Sequence, residues 1–336
     1  MKCVEIQGAF GLDHLTLTER PSIPLQEGQV RVAVKAASLN YRDLMTVQGQ
    51  YNPRQKLPLI PCSDGAGEVL EVGPGVRELK AGDRVMTLFA QGWLSGEPSR
   101  EKLRSTLGGP LDGTLTEELV LPASGLVLVP EHLTDEEAAT LPCAALTAWS
   151  ALVTHGGLKA GDWVLVQGSG GVSLFVLQFA RMFGARVVAL SGSDEKLARL
   201  QMLGAEHGIN YRSTPRWGKV VETYTGGGVD HMVEVGGPAT LEQSIAATRI
   251  GGQITLIGVL GGGAQPVNLV PLFMKHIRLQ GLLVGSREGF EAMNRAISAS
   301  QLRPVLDSSF ALSEARAAFE RMAGAQHFGK ITVRMG

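Results

Sequence analysis

The chain has 336 residues, enough for two domains at roughly 150 residues each. With 44% hydrophobic and 19% charged residues it can bury a sizeable core and is not disordered. Its 31 Lys plus Arg against 32 Asp plus Glu leave a net charge of -1, which argues against a protein held on nucleic acid by a basic surface, and 3 cysteines exclude a disulfide scaffold and fit a reducing compartment.

The opening Met1-Lys2-Cys3-Val4-Glu5-Ile6-Gln7-Gly8 has no apolar signal core. No stretch approaches the ~20 apolar residues of a membrane span, so the expected address is the cytoplasm. Val30–Val34 alternates polar and apolar residues, as a half-buried strand does, and Gly67–Gly73 does the same between glycines. Pro74-Gly75 and Ala81-Gly82-Asp83 are turns, and Asp83–Leu88 follows as a strand. Residues 93–113 read as a surface excursion that either carries function or hides a short element. Thr134-Asp135-Glu136-Glu137 is a capping-box signature that predicts a helix through Ala138 and Ala139. Pro142 interrupts it, and Leu146–Val153 reads as a second helix.

From Trp163 onward strands and helices alternate. The predicted strands are Trp163–Gln167, Arg186–Leu190, His231–Val235, Gln253–Ile257 and Arg278–Val284; the first helices are Val172–Phe183 and Asp194–Leu203. Such alternation predicts an α/β fold with a parallel sheet and helices on both faces. The tail adds helices at Gly289–Ser300 and Ser313–Met322, with Ser313 as N-cap and Gly324 as stop, then a strand at Lys330–Arg334.

The strongest local signal is Val164-Leu165-Val166-Gln167-Gly168-Ser169-Gly170-Gly171-Val172-Ser173, between a strand and a helix. Gly168 permits the tight turn, and Gly170 lets the backbone approach a pyrophosphate. Gly171 and Val172 open the helix on whose N-terminus that pyrophosphate would sit. The third fingerprint position is Ser173, small enough to keep helix and strand close. The competing reading is an ordinary strand-to-helix turn. The second strand ends Ala189-Leu190-Ser191-Gly192-Ser193, without the acid that binds a ribose 2′-hydroxyl. Ser191 and Lys196 therefore favour NADP(H) over NAD. Against this stand Asp194 and Glu195, which otherwise read as first-turn acids of a helix capped by Ser193.

The chain resembles the medium-chain dehydrogenase/reductase superfamily over essentially its whole length. The resemblance rests on Ala37-Ser38-Leu39-Asn40-Tyr41-Arg42-Asp43-Leu44, Asp64-Gly65-Ala66-Gly67-Glu68-Val69, Ala81-Gly82-Asp83-Arg84-Val85, Leu146-Thr147-Ala148-Trp149 and the glycine turn. It implies a Rossmann NADP(H)-binding domain over 128–287 and a β-rich, GroES-like catalytic domain over 1–127, completed by 288–336. The details look most like the zinc-independent quinone oxidoreductase and enoyl reductase branch. Zinc-dependent members carry a cysteine where this chain has Asn40-Tyr41, a histidine where it has Cys62-Ser63-Asp64, and a second cysteine near Cys143. Residues 86–125 hold none of the cysteines of a structural zinc lobe, and the 7 histidines show no ligand spacing. No metal is expected.

By the same resemblance Asn40 lies beside the nicotinamide as a donor or positioning group. Tyr41 is either a donor to a developing enolate or a wall of the pocket. Tyr51 either lines the substrate cleft or packs as a half-buried aromatic, and Asp43 pairs structurally with Arg42 or backbone. Thr147 holds the nicotinamide side of the cofactor, and Tyr211 lies near the adenosine 2′-phosphate, with Arg212 solvated. Gly236-Gly237 and Ile257-Gly258-Val259 end sheet strands, where ligands bind open α/β sheets, although a plain turn is the competing reading. Leu283-Val284 reaches the carboxamide end, and Phe328 and Lys330 belong to a segment returning to the cofactor, Lys330 towards a phosphate.

These readings imply a zinc-independent, NADPH-dependent oxidoreductase passing hydride to a quinone, enone or other activated carbonyl or alkene. The alternatives are a zinc-free alcohol or aldehyde dehydrogenase, or a catalytically weak NADPH-binding protein. The expected partners are a small-molecule substrate and a second copy of the chain, a homodimer paired along Ile277–Val284.

Overall fold

The computed structural model describes residues 1–336. They form two compact units: Met1–Leu146 together with Gly285–Gly336, and Thr147–Val284, which lies between those segments in sequence. The first unit begins with a hairpin of β1 (Lys2–Ile6) and β2 (Leu15–Glu19). There follow β3 (Gln29–Ser38), α1 (Tyr41–Val47), β4 (Asp64–Val72), β5 (Arg84–Thr87), α2 (Arg100–Leu103), β6 (Glu118–Pro122), β7 (Leu126–Leu128) and α3 (Asp135–Ala138). Next is α4 (Leu146–Trp149), flanked by π-helical turns at Leu141–Ala145 and Ser150–Thr154.

The second unit alternates β8 (Trp163–Gln167), α5 (Gly171–Met182), β9 (Arg186–Ser191), α6 (Asp194–Met202), β10 (His207–Asn210), α7 (Trp217–Thr225), β11 (Val229–Glu234), α8 (Pro238–Ala247), β12 (Thr248–Leu256), α9 (Val270–Met274) and β13 (Arg278–Gly281). The chain returns to the first unit as α10 (Arg287–Ser300), β14 (Leu306–Ala311), α11 (Ala315–Ala323) and β15 (Lys330–Arg334).

The six strands of the second unit are all parallel, in the order β10-β9-β8-β11-β12-β13. This is the doubly wound dinucleotide-binding order, with its reversal between β8 and β11. Apolar runs such as Trp163–Gln167 are buried throughout because helices cover both faces. The first unit's seven-stranded sheet runs β14-β15-β3-β4-β5-β7, with β6 added on β3. Val30, Val32 and Val34 of β3 alternate into its core.

The capping box forms as predicted: the Thr134 N–H donates to Glu137 Oε2 at 2.9 Å and the Glu137 N–H to Thr134 Oγ1 at 3.2 Å. The helix it starts is one turn, and the predicted Leu146–Val153 helix is α only over Leu146–Trp149, because π turns occupy both flanks. The excursion over 93–113 holds α2, and its later part is not surface: Thr106 and Leu107 are buried. Ser313 does not cap α11; Glu314 reaches back to the Ala311 N–H and starts a 3₁₀ turn instead. The first unit continues to Leu146, past the expected limit at residue 127. Segment 128–146 stays with it because α3 packs on β3, β4 and β15 and the Cys143 N–H donates to Asp64.

In the returning segment Asp307 anchors the loop before β15. Burial raises its carboxyl, but Arg321 (two contacts at 3.1 Å), the Phe328 N–H (2.8 Å) and Ser308 outweigh burial and hold it down at about 2. A carboxyl lowered on folding contributes stability above its unfolded value of about 4, and loses it as the pH falls towards 2. Asp307→Asn is therefore expected to melt lower than the wild type at pH 7, with the gap narrowing by pH 3. Melts whose gap is independent of pH would reject this.

Candidate active site

The centre of the first unit is the turn between β3 and α1. The Asn40 N–H donates to Asp43 Oδ2 at 2.8 Å, so the carboxylate at the third helical position closes the helix start. Asp43 is fully buried, and burial pushes its carboxyl up to about 6, opposed by Arg42 and reinforced by Asp64. Arg42 pairs with Asp43 at 3.2 Å and donates to the carbonyls of Leu107 (2.8 Å), Gly108 (3.3 Å) and Gly109 (3.1 Å). Its guanidinium carbon lies 5.0 Å from the Tyr51 ring centre and 5.2 Å from that of Phe89. One buried cation thus fixes the 107–109 turn and backs Tyr51. Tyr41, the first residue of α1, is 48% exposed and Tyr51 43%.

Lys330 enters from β15 with only 4% exposure. Its Nζ donates to the Leu39 carbonyl and to Asn40 Oδ1, both at 2.6 Å. Both partners lie inside the first unit. Asp64, at the start of β4, accepts from Ser63 Oγ at 2.7 Å and from the Cys143 N–H at 3.0 Å. Burial raises its carboxyl above the ordinary value, and Lys330, Asn40 and these donors offset only part of that rise. The Cys143 N–H comes from the first π turn. Phe328 is buried just before β15.

Burial, with Asp64 next, pushes the Cys143 thiol far up; burial likewise raises Cys62, and Cys3 to about 11. A thiol kept protonated is a poor nucleophile. All three cysteines are expected to resist a disulfide reagent at pH 8 in the native protein and to react on unfolding. Rapid native titration of Cys143 would contradict this.

The donor set does not fit a zinc site. No group of three or more His, Cys, Asp or Glu side chains is arranged to hold a metal ion. Asn40 offers an amide already held by an ammonium, and a catalytic zinc takes three protein ligands.

The second unit presents the other residues at the C-terminal ends of its strands, where open α/β sheets bind ligands. Beyond β8, Gly168 has φ +76°, and a Cβ at Gly168 or Gly170 would meet nothing within 4 Å, so the turn is open to an approaching group. No side chain caps α5 at Gly170, and Gly171 and Val172 form its first turn. Ser173 Oγ donates to the Gln167 carbonyl at 2.6 Å, stitching helix to strand at the third fingerprint position.

Beyond β9, a Cβ on Gly192 would lie 2.7 Å from the Tyr211 hydroxyl and 2.8 Å from Arg212 Nε. Tyr211 and Arg212 therefore crowd the bare face of Gly192, a cradle that only glycine leaves open. Arg212 is exposed, as expected, with its Nε beside Gly192. Ser191 is buried and its Oγ accepts from the Ser193 N–H. Lys196 lies in the first turn of α6. Asp194 accepts from Asn210 Nδ2 at 2.7 Å, a contact that gives this acid a role apart from any ribose.

Beyond β11, Glu234 Oε1 accepts from the Gly236 and Gly237 N–H groups at 2.6 and 2.9 Å. Ile257, Gly258 and the exposed Val259 follow β12, and Leu283 and Val284 follow β13. Thr147 is buried within α4.

Sequence reasoning missed the burial of Asp64 and Lys330, and the Glu234 hub. Asp64 carried a signal, an acid directly before the uncharged Gly65-Ala66-Gly67; Glu234, in a strand buried on both faces, carried another.

A family model described as alcohol dehydrogenase GroES-like domain matches residues 26–131, and one described as zinc-binding dehydrogenase matches 171–299. A zinc-type alcohol dehydrogenase-like protein of Schizosaccharomyces pombe is 41% identical over 97% of this chain and 96% of its own. The chain belongs to the medium-chain dehydrogenase/reductase superfamily. It is an oxidoreductase of that superfamily. Two solved members show its breadth. One, described as an NAD-dependent alcohol dehydrogenase, is 33% identical with a TM-score of 0.92 and full coverage of both chains. The other, a 2-octenoyl-CoA carboxylase reductase in complex with NADP and 2-octenoyl-CoA, is 27% identical with a TM-score of 0.89, covering 99% of this chain and 87% of its own. No helix of this dehydrogenase/reductase is long and apolar enough to cross a membrane.

Proposed function

We propose that this protein is a metal-independent, NADPH-dependent reductase of quinones, enones or related α,β-unsaturated carbonyl compounds. The observation that carries the reading is the Asn40 donor set, an amide bound to a buried ammonium with no three-ligand group beside it. Without a metal, a developing oxyanion depends on hydrogen-bond donors. A bound reduced nicotinamide supplies hydride to the electrophilic carbon of the substrate. Asn40 then donates to the carbonyl oxygen as the charge spreads into an enolate. The α-carbon takes one proton, from Tyr41 or from water, which balances the reduction. Tyr51, backed by Arg42, forms a wall for the substrate. Tyr211, Arg212 and Lys196 bind the 2′-phosphate, Thr147 and the 283–284 segment the nicotinamide end. The relative bound to NADP and an enoyl thioester supports both cofactor and substrate class.

The alcohol dehydrogenase relative favours a second reading, a zinc-free alcohol or aldehyde dehydrogenase. The deciding experiment titrates metal-stripped protein with NADPH and with NADH by fluorescence, then assays enones, quinones and simple alcohols. NADPH is expected to bind at least about tenfold tighter, the equivalent of one charge-assisted contact, with turnover of enones or quinones. Turnover of alcohols alone would move the protein to the second reading, and tight NADPH binding with no turnover would make it a binding protein.

β13 pairs only with β12 and is exposed at all four residues. We expect a second copy to cover this edge. A monomeric mass by light scattering would sink that expectation.

A further inference from the structure

We propose that Lys330 is a positioning residue that fixes the side-chain amide of Asn40 as a hydrogen-bond donor; the catalytic part of this proposal rests on the reductase reading above. The start of β15 is fastened to the end of β3 by the Leu39 N–H, which donates to the Ile331 carbonyl at 3.0 Å, and by Ser38 Oγ on the same carbonyl. Lys330 is thereby aimed at the turn, and its ammonium reaches the Leu39 carbonyl and the Asn40 side chain, each at 2.6 Å.

An ammonium has donors only, so the amide atom facing it must be the oxygen. That removes the usual freedom of an amide to be turned either way. The backbone of Asn40 is pinned as well, through its N–H on Asp43. Nδ2 is therefore forced to the far side. It is buried, with the residue only 8% exposed, and has no acceptor in hydrogen-bond geometry within the protein. Its contact with Asp64 lowers that carboxyl as a hydrogen bond would, although no acceptor meets Nδ2 in hydrogen-bond geometry. Buried donors are rarely left without partners, and one held in place by a donor-only cation suits an oxygen that gains charge during a reaction. Lys330 gives up no proton in this role. Arg42, Asp43 and Asp64 are the other buried charges of the cluster, the two carboxyl groups standing opposite the two cations.

The test combines kinetics with an activity-independent readout. Asn40→Asp keeps an acceptor for Lys330 but has no N–H to give, so its kcat on an enone should fall as in Asn40→Ala, by about 10²–10³-fold, the range for losing one oxyanion donor. KM and the NADPH Kd should stay near wild type. Lys330→Met should fall similarly and add little in the Asn40→Ala background, because it acts through that amide. Lys330→Arg, also donor-only, should recover part of the loss. In ¹⁵N-labelled protein the Asn40 side-chain amide pair, assigned by its absence from Asn40→Asp, should be single and sharp, and should shift or broaden in Lys330→Met.

An additive double variant, or an amide pair unmoved by Lys330→Met, overturns the proposal. If Lys330→Met does not fold, a folded Asn40→Asp with undiminished kcat overturns it equally. If the wild type turns over no enone or quinone while the amide pair still responds to Lys330, the reductase reading fails and the positioning role stands.

Discussion

Asp64→Ala is expected to destabilise the first unit by about 3–5 kcal/mol, the cost of removing one partner from a buried charge cluster. The carboxylate is fully buried, and it accepts from Ser63 Oγ and the Cys143 N–H. Its backbone carbonyl takes a third bond from Thr114 Oγ1. Alanine leaves a buried N–H and hydroxyl unmatched and removes the nearest compensation for the Lys330 ammonium. Asn at this position keeps the shape and one acceptor, so Asp64→Asn should lose less. The measurement is a urea melt. A midpoint for Asp64→Ala close to that of wild type would show that the cluster relaxes or fills with water, and the account of the first unit would need rebuilding.

Glu234→Ala should have a comparable effect on the second unit and abolish cofactor binding. Glu234 is fully buried at the end of β11. Oε1 accepts from two backbone N–H groups and from Thr240 Oγ1 at 2.6 Å; Oε2 accepts from Gln167 Nε2 at 3.1 Å and from Ser244 Oγ. Gln167 Oε1 in turn accepts from the Val235 and Gly236 N–H groups at 2.9 and 3.3 Å. One carboxylate and one amide therefore shape the turn after β11 and tie it to the strand carrying the glycine turn. Hydrogen bonds to a charged group are worth about 1.5–3 kcal/mol each, so losing several should cost at least about 4 kcal/mol even after relaxation. Glu234→Gln keeps the acceptor for the turn but sets its amide nitrogen against that of Gln167. It should fold, melt lower, and bind NADPH more weakly. An alanine variant that binds NADPH with wild-type affinity would contradict this.

The parts of the molecule that could be read from sequence are those whose causes are local. The glycine turn was legible because its strand, its turn and its helix are consecutive. Thr134 and Glu137 were legible because a capping box spans three residues. β10 was missed because it is four residues long with one buried side chain, Ile209, too short for a period to show. The π turns beside α4 escaped because their register depends on tertiary partners such as Asp64 for the Cys143 N–H. Resemblance put weight on Asn40, but nothing local tells that its amide is held by a lysine 290 residues later. Lys330 was assigned a phosphate by resemblance alone, and its burial cannot be read from the residue itself. Arg212 is exposed as read, but its approach to the bare face of Gly192 carries no local signal.

The placement of β15 bears on how the chain is made. Residues 147–284 are contiguous, so the second unit can close as soon as they leave the ribosome. The first unit cannot, although its synthesis begins earlier. Thr332, Val333 and Arg334 lie opposite Ser38, Ala37 and Ala36, so the end of β3 beyond the stretch paired with β6 stays bare on that side until β15 emerges. Folding order is therefore the reverse of the usual N-terminal-first sequence. The nascent chain carries an open strand edge through most of translation, a surface for chaperones to shield. The ammonium that orders Asn40 arrives with the same strand, so a chain stalled before residue 330 holds a closed nucleotide fold and a reaction centre that has not yet been set.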